Sequence, residues 1–150
     1  MATLALPPDF KEFLKLLNSN SVEYLLIGGY AVGVHGHIRA TNDIDIWVKV
    51  SSDNAVCIDW ALRQFGFAFP DLTPELFLTL DSVVRMGLPP IRIEILTSIS
   101  GVEFNACYAE KEQIEIEDLI VPVISLAHLR QNKTASARAK DLADLESLPE

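Results

Sequence analysis

Apolar residues recur along the chain with two periods, and the switches between them mark out the elements. Between residues 9 and 19, Phe10, Phe13, Leu14, Leu16 and Leu17 fall on one side at helical spacing. With Asp9 as N-cap they predict a first helix, broken by the turn-formers from Asn18 to Ser21. Tyr24–Ile27 is apolar throughout, the signature of a central strand. Gly28-Gly29 then turns the chain, and Tyr30–His35 can form two helical turns, with Gly33 allowing close packing. A loop over 37–42 leads to Asp43–Val48, where acidic and apolar residues alternate as in a strand. Ser51, Ser52 or Asp53 caps a helix to about Phe65 that Gly66 ends, with Ile58, Ala61, Leu62 and Phe65 as its buried stripe. Val56 and Trp60 lie off that stripe, where a second element would cover them.

Thr73-Pro74-Glu75 starts a short helix. Ser82–Met86 and Ile91–Leu96 read as a hairpin turning at Gly87-Leu88-Pro89-Pro90. Val102–Ala109 reads as a short helix, and Ile114–Ile116 and Leu119–Val123 as short strands. A helix begins in Ser125–Arg130, and a last one runs from about Ser136 to Leu148 with Leu142, Leu145 and Leu148 facing inward. Helices and strands mix without regular alternation, which favours an α+β fold: a mixed β-sheet with helices packed against it.

The 150 residues fit a single domain, and 49% hydrophobic content gives it a sizeable core. The net charge of −9 argues against sequence-independent binding to duplex DNA, which needs a basic face. A nucleotide stays compatible, because a metal and a local basic patch reverse the field within one cleft. Cys57 and Cys107 are far apart in apolar surroundings and read as reduced thiols. Pro7-Pro8 interrupts any leader-like stretch, and the longest apolar run, Tyr24–Val34, is short of the roughly 20 residues a bilayer requires. The expectation is a cytoplasmic protein.

The chemistry concentrates in two strands. Residues two apart share a face, so Asp43 and Asp45 stand together about 6.6 Å apart along the strand, with Ile44, Ile46 and Val48 turned to the core. Two neighbouring acids repel unless a cation lies between them, and magnesium prefers such oxygen ligands. Ile91–Ile95 repeats the pattern: isoleucines on one face, Arg92 and Glu94 on the other. If the two strands pair, one core claims all the isoleucines and Glu94 comes beside Asp43 and Asp45. Three carboxylates on one face suit a two-metal phosphoryl or nucleotidyl transfer centre. Gly28-Gly29, between strand and helix, would let backbone N–H groups approach phosphates. Arg39 and Thr41, just before the acids, could touch a phosphate or nucleoside.

Each feature alone has a plainer explanation. An isolated Asp-x-Asp is often solvated, a glycine pair is usually a turn, and Arg92 with Glu94 could be the wet face of an edge strand. The chain has neither G-x-G-x-x-G nor a P-loop. Arg130, Lys133, Arg138 and Lys140 form an acid-free basic stretch in an acidic chain. It reads either as a solvated helix face with Lys140 pairing Asp144, or as Lys133 and Lys140 near a triphosphate. His35 and His37 read as structural or substrate-contacting, since magnesium favours oxygen.

Taken together, LLIGGYAVGVHGHIRATNDIDI followed by IRIEI resembles the nucleotidyltransferase superfamily with the DNA polymerase β-like fold. There an apolar strand, Gly-Gly or Gly-Ser, a helix and Asp-x-Asp precede a third acid on a later strand. The chain is most similar to small prokaryotic members of the abortive-infection type found in toxin–antitoxin pairs. The segment VISLAHLRQNKTASARAKDLADLESL resembles that family's C-terminal part. The resemblance implies magnesium at Asp43 and Asp45, two ions in all with manganese as a substitute, and a triphosphate site at Gly28 and Gly29. Glu94 maps to the third acid, which is more often aspartate in the family.

The activity so implied moves a nucleoside monophosphate from an NTP to a hydroxyl of a protein, RNA or small molecule. One alternative is a non-catalytic, nucleotide-binding antitoxin-like protein with a cognate partner. Another is an aminoglycoside- or lincosamide-modifying transferase, for which a homodimer would have to complete the acceptor pocket.

Overall fold

Ile44 and Ile46 on one strand and Ile93 and Ile95 on another must all leave water, and pairing those strands in register buries all four on one face. The computed structural model describes residues 5–88 and 90–150 and shows that pairing. The elements run α1 (Pro8–Ser19), β1 (Tyr24–Ile27), α2 (Gly28–Val34), β2 (Asp43–Val48) and α3 (Ser52–Phe65). A 3-10 turn at Pro74–Phe77 precedes β3 (Val83–Leu88) and β4 (Ile91–Leu96). Then come α4 (Phe104–Ala109), β5 (Glu112–Ile116), β6 (Leu119–Val123), α5 (Leu126–Ser136) and α6 (Ala139–Ser147).

The strands form one mixed sheet of six in the order β3-β4-β2-β1-β6-β5. β2 pairs antiparallel with β1 and parallel with β4, and β1 pairs parallel with β6. A parallel neighbour needs a crossover, and α3 with the segment after it supplies the one between β2 and β4. β1 is buried along its whole length, which explains its unbroken apolar sequence. α1 and α3 pack on each other, with Phe13 edge-on to Phe65 at 5.4 Å between ring centroids. Cys57 is half-buried and Cys107 buried, both as free thiols. No helix among the described residues is long and apolar enough to cross a membrane.

Several local readings change. α1 begins at Pro8 with Pro7 as N-cap, and Asp9 sits in its first turn instead. α2 starts at Gly28 itself. Of the three caps read for α3, Ser51 is the one observed, accepting a bond from the Asn54 N–H. Val56 and Trp60 remain exposed, Trp60 by 57%. The segment at Thr73 closes only a 3-10 turn. Gly87 and Leu88 belong to β3, and Pro89 of the expected hairpin turn lies outside the described residues.

The largest correction is at the C-terminus. The two helices expected there are present, but α5 runs on to Ser136 and α6 starts only at Ala139, the two separated by Ala137 in the left-handed conformation at φ 50°. Of the three leucines read as inward-facing, Leu148 is buried and Leu145 half-buried, but Leu142 is 51% exposed while Asp141 and Asp144 are buried. The cause is Lys133 of α5, itself buried, whose ammonium lies 3.2 Å from Asp141 and 2.9 Å from Asp144. A buried ammonium needs carboxylates around it more than leucine needs to leave water.

Candidate functional site

The parallel register of β2 and β4 places Asp43 opposite Arg92 and Asp45 opposite Glu94. Both strands present these side chains on the face away from the buried isoleucines. Asp45 and Glu94 line a polar cavity of about 480 Å³. Gly28 forms part of its floor, and Lys133, Arg138 and Lys140 approach from α5 and α6. Residues more than a hundred positions apart in sequence thus meet at one place.

Gly28 is fitted to Asp45. A Cβ there would stand 2.1 Å from Asp45 Oδ2, and the backbone φ of 68° lies in the left-handed region. Glycine is required by both contact and conformation. Beside Gly29 lie Thr41 and Arg39, which a Cβ would meet at 3.1 and 3.2 Å. The Thr41 hydroxyl donates to the Asp43 carbonyl at 3.2 Å, shaping the entry to β2.

The carboxylates are unequal. Glu94 receives the Arg85 Nε–H at 2.9 Å and has Arg92 Nη2 at 3.7 Å. Asp43 has Arg92 Nε at 3.9 Å, and its Oδ1 is buried without a hydrogen-bond partner among the described residues. Burial, then hydrogen bonding and repulsion with Glu94 and repulsion from Asp43, push Asp45 up to about 7. Lys140 only partly opposes this. Burial alone would raise Glu94 too, but hydrogen bonds from Asp45 and Arg85 and the charges of Arg85 and Arg92 hold it below the usual range. Of the two acids, Asp45 is therefore the one that keeps a proton more readily, since Arg85 and Arg92 pair with Glu94.

The basic groups divide in the same way. Arg39 donates two bonds to Asp144, at 2.8 and 3.0 Å, and Lys133 is held by Asp141 and Asp144. Asp141 also accepts from Ser136, from the Arg138 N–H and from its guanidinium. The Arg138 and Lys133 contacts hold Asp141 well below the carboxylate range, against the effect of burial. Among the described residues Lys140 has no ion-pair partner, so the Lys140–Asp144 pair read as one option from the sequence is absent. His35 is structural: its Nε2 lies 2.7 Å from the Ile124 carbonyl.

Of the residues read from the sequence, Gly28, Asp45, Glu94, Lys133 and Lys140 line one cavity. Asp43, Gly29, Arg39 and Thr41 do not line it. The sequence reading passed over Arg85, Ser98, Ser100 and Asn132. Arg85 was accessible from the hairpin, because alternating Val84 and Met86 into the core puts Arg85 across from Glu94.

For a metal, the test is the chemistry of the donors. Asp43 and Asp45 offer hard oxygens, one of them buried without a hydrogen-bond partner, and the raised pKa of Asp45 marks a place where positive charge is wanted. These residues fit magnesium. Among the described residues, however, no three acidic, histidine or cysteine side chains are already gathered as a ligand set, and Glu94 is paired with Arg85 and Arg92.

No family model matches the chain, and neither does any curated protein. Among solved structures, it is similar to a putative nucleotidyltransferase from Thermotoga maritima, at 17% identity and a TM-score of 0.63. The match covers 92% of this chain and 88% of that one. With the α+β sheet and the strand pairing already described, this likeness establishes that the chain has the nucleotidyltransferase fold.

Proposed function

We propose that the chain binds a nucleoside triphosphate with magnesium in the Asp45–Glu94 cavity and transfers the nucleoside monophosphate to a hydroxyl group. The acceptor is a protein, an RNA or a small molecule. The observation that carries this reading is the β2–β4 register, which sets Asp45 across from Glu94 beside a glycine that cannot be replaced without displacing Asp45. Asp43 and Asp45, joined by Glu94 once it leaves Arg85, would hold the metal. When bound, magnesium supplies charge neutralisation for the phosphates and a lower pKa for the attacking hydroxyl.

The protein's part is to position and balance charge. Lys140 and Arg138, on the far wall, would offset the triphosphate. The buried Lys133–Asp141–Asp144–Arg39 network acts behind them, fixing α6 so that Lys140 faces the acids. The acceptor oxygen bonds to the α-phosphorus as the bond to the bridging oxygen breaks. Pyrophosphate leaves, and the hydroxyl proton passes to a carboxylate of the cluster.

A radiolabelled NTP, magnesium and candidate acceptors would be incubated with the wild type and with Asp43→Ala/Asp45→Ala. Label transferred only by the wild type supports the reading. Equal label, or no metal-dependent nucleotide binding by either, removes it.

A second reading rests on the arginines around Glu94. With Glu94 ion-paired at 2.9 Å, the chain would bind nucleotide without transferring it and would act as the antitoxin-like partner of a cognate toxin. Neutralisation of a neighbour-encoded toxin that survives Asp43→Ala/Asp45→Ala favours this reading. Loss of neutralisation in that variant counts against it.

A further inference from the structure

Two guanidinium groups converge on one oxygen of Glu94. Its Oε1 has Arg85 Nε at 2.9 Å and Arg92 Nη2 at 3.7 Å. The strand registers bring this about: β3 sets Arg85 opposite Glu94, and Arg92 lies two residues before Glu94 on the same face of β4. The β3 residue opposite Arg92 is Gly87, so that corner of the sheet face carries no side chain. β3 is an edge strand, and the Arg85 and Arg92 side chains are 57% and 35% exposed. Neither lines the Asp45–Glu94 cavity, which Arg138 and Lys140 close from the α6 side. The two arginines stand outside it, beyond Glu94.

The other cations already have a use. Arg39 and Lys133 are held by Asp144 and Asp141, and Lys140 and Arg138 face the place proposed for the triphosphate. Arg85 and Arg92 depend on Glu94, with Asp43 a more distant second partner of Arg92 at 3.9 Å. When Glu94 turns to the metal, the two guanidinium groups lose the oxygen they share. Planar guanidinium donors that hold a carboxylate oxygen suit a phosphate oxygen equally well. Two arginines match one phosphate group. A nucleic-acid strand needs a basic stripe along several phosphates, which a net charge of −9 opposes.

We propose that the acceptor is a small hydroxyl compound carrying a phosphate group, which Arg85 and Arg92 hold once Glu94 has turned to the metal; this rests on the transfer reading above. Nucleotide and metal thereby uncover the acceptor site.

The test is calorimetric and uses the full chain. Manganese and the α,β-methylene analogues of the common NTPs are titrated first. The loaded chain is then titrated with glycerol 3-phosphate, with glycerol as the probe lacking phosphate. The expected result is saturable binding of glycerol 3-phosphate and none of glycerol. Arg85→Gln and Arg92→Gln should each weaken that binding at least tenfold, with nucleotide and manganese bound no more weakly than by the wild type. Arg85→Lys, which keeps the charge but loses the planar fork, should fall between. No binding of any nucleotide analogue would remove the transfer reading, and this proposal with it. With nucleotide bound, the proposal alone is overturned by no saturable binding of glycerol 3-phosphate, by equal binding of glycerol, or by unchanged affinity in both glutamine variants. Nucleotide binding weakened tenfold in those variants would assign the arginines to the triphosphate and overturn it too. So would a single-stranded RNA trinucleotide that binds the loaded chain tenfold more tightly than glycerol 3-phosphate through the same arginines.

Discussion

Gly28→Ala isolates the contact on which the candidate site is built. A methyl group there would lie 2.1 Å from Asp45 Oδ2, 3.0 Å from its Cγ and 3.1 Å from its Cβ. Two costs follow. The left-handed backbone at φ 68° costs an alanine about 1–2 kcal/mol. Asp45 must also leave its rotamer, for roughly another 0.5–1.5 kcal/mol. Urea unfolding should therefore show a loss of about 1.5–3.5 kcal/mol. Gly66→Ala is the control, since that glycine has positive φ with no neighbour within 4 Å of its absent Cβ. It should show the backbone cost alone. In an Asp45→Ala background the penalty at Gly28 should fall by about 1 kcal/mol, because the carboxylate is gone and only the Cβ contact remains. Strictly additive losses from Gly28→Ala and Asp45→Ala would refute the packing of Gly28 against the acid.

Three further predictions concern charge. Asp45 is held near 7 in the folded chain and titrates near 3.8 when unfolded, so the native state keeps the proton longer. Stability of the wild type relative to Asp45→Asn should fall as pH rises from about 4 to about 7 and level off above, measured by urea unfolding across that range; a relative gain over the same range would contradict the assignment. Lys133→Met should cost roughly 3 kcal/mol in the same assay, because it removes the buried cation between Asp141 and Asp144 and leaves each with only its arginine; a neutral effect would show that Asp141 and Asp144 are not held by Lys133. Arg85→Gln should release Glu94 and tighten binding of manganese alone a few-fold in calorimetry, the Arg85 side chain being too exposed for a larger effect; weaker manganese binding would show that Glu94 does not reach the metal.

Much of the sheet was legible because its signal is local and period-two. The alternation in Asp43–Val48 and Ile91–Leu96 leaves one way to bury the isoleucines, and the observed register follows from it. At the C-terminus the placing of Leu142 in the core failed, for a physical reason. Leu142 and Leu145 share a helical spacing with Asp141 and Asp144, so hydrophobic periodicity alone puts the leucines inside. The phase is decided by Lys133, on a different helix, whose buried charge draws the acids inward. Nothing local to α6 records that. The unequal surroundings of Asp45 and Glu94 were hidden likewise: they depend on Arg85 from an edge strand, reached only by counting through the hairpin.

The most direct measurement is a crystal structure with a non-hydrolysable NTP and manganese, using anomalous scattering to locate the metal. The account predicts manganese at the Asp45 and Asp43 carboxylates, Glu94 turned from Arg85 toward it, and the triphosphate between those acids and Lys140. Nucleotide bound elsewhere, or phosphates in the cavity with no metal at Asp45, would contradict it.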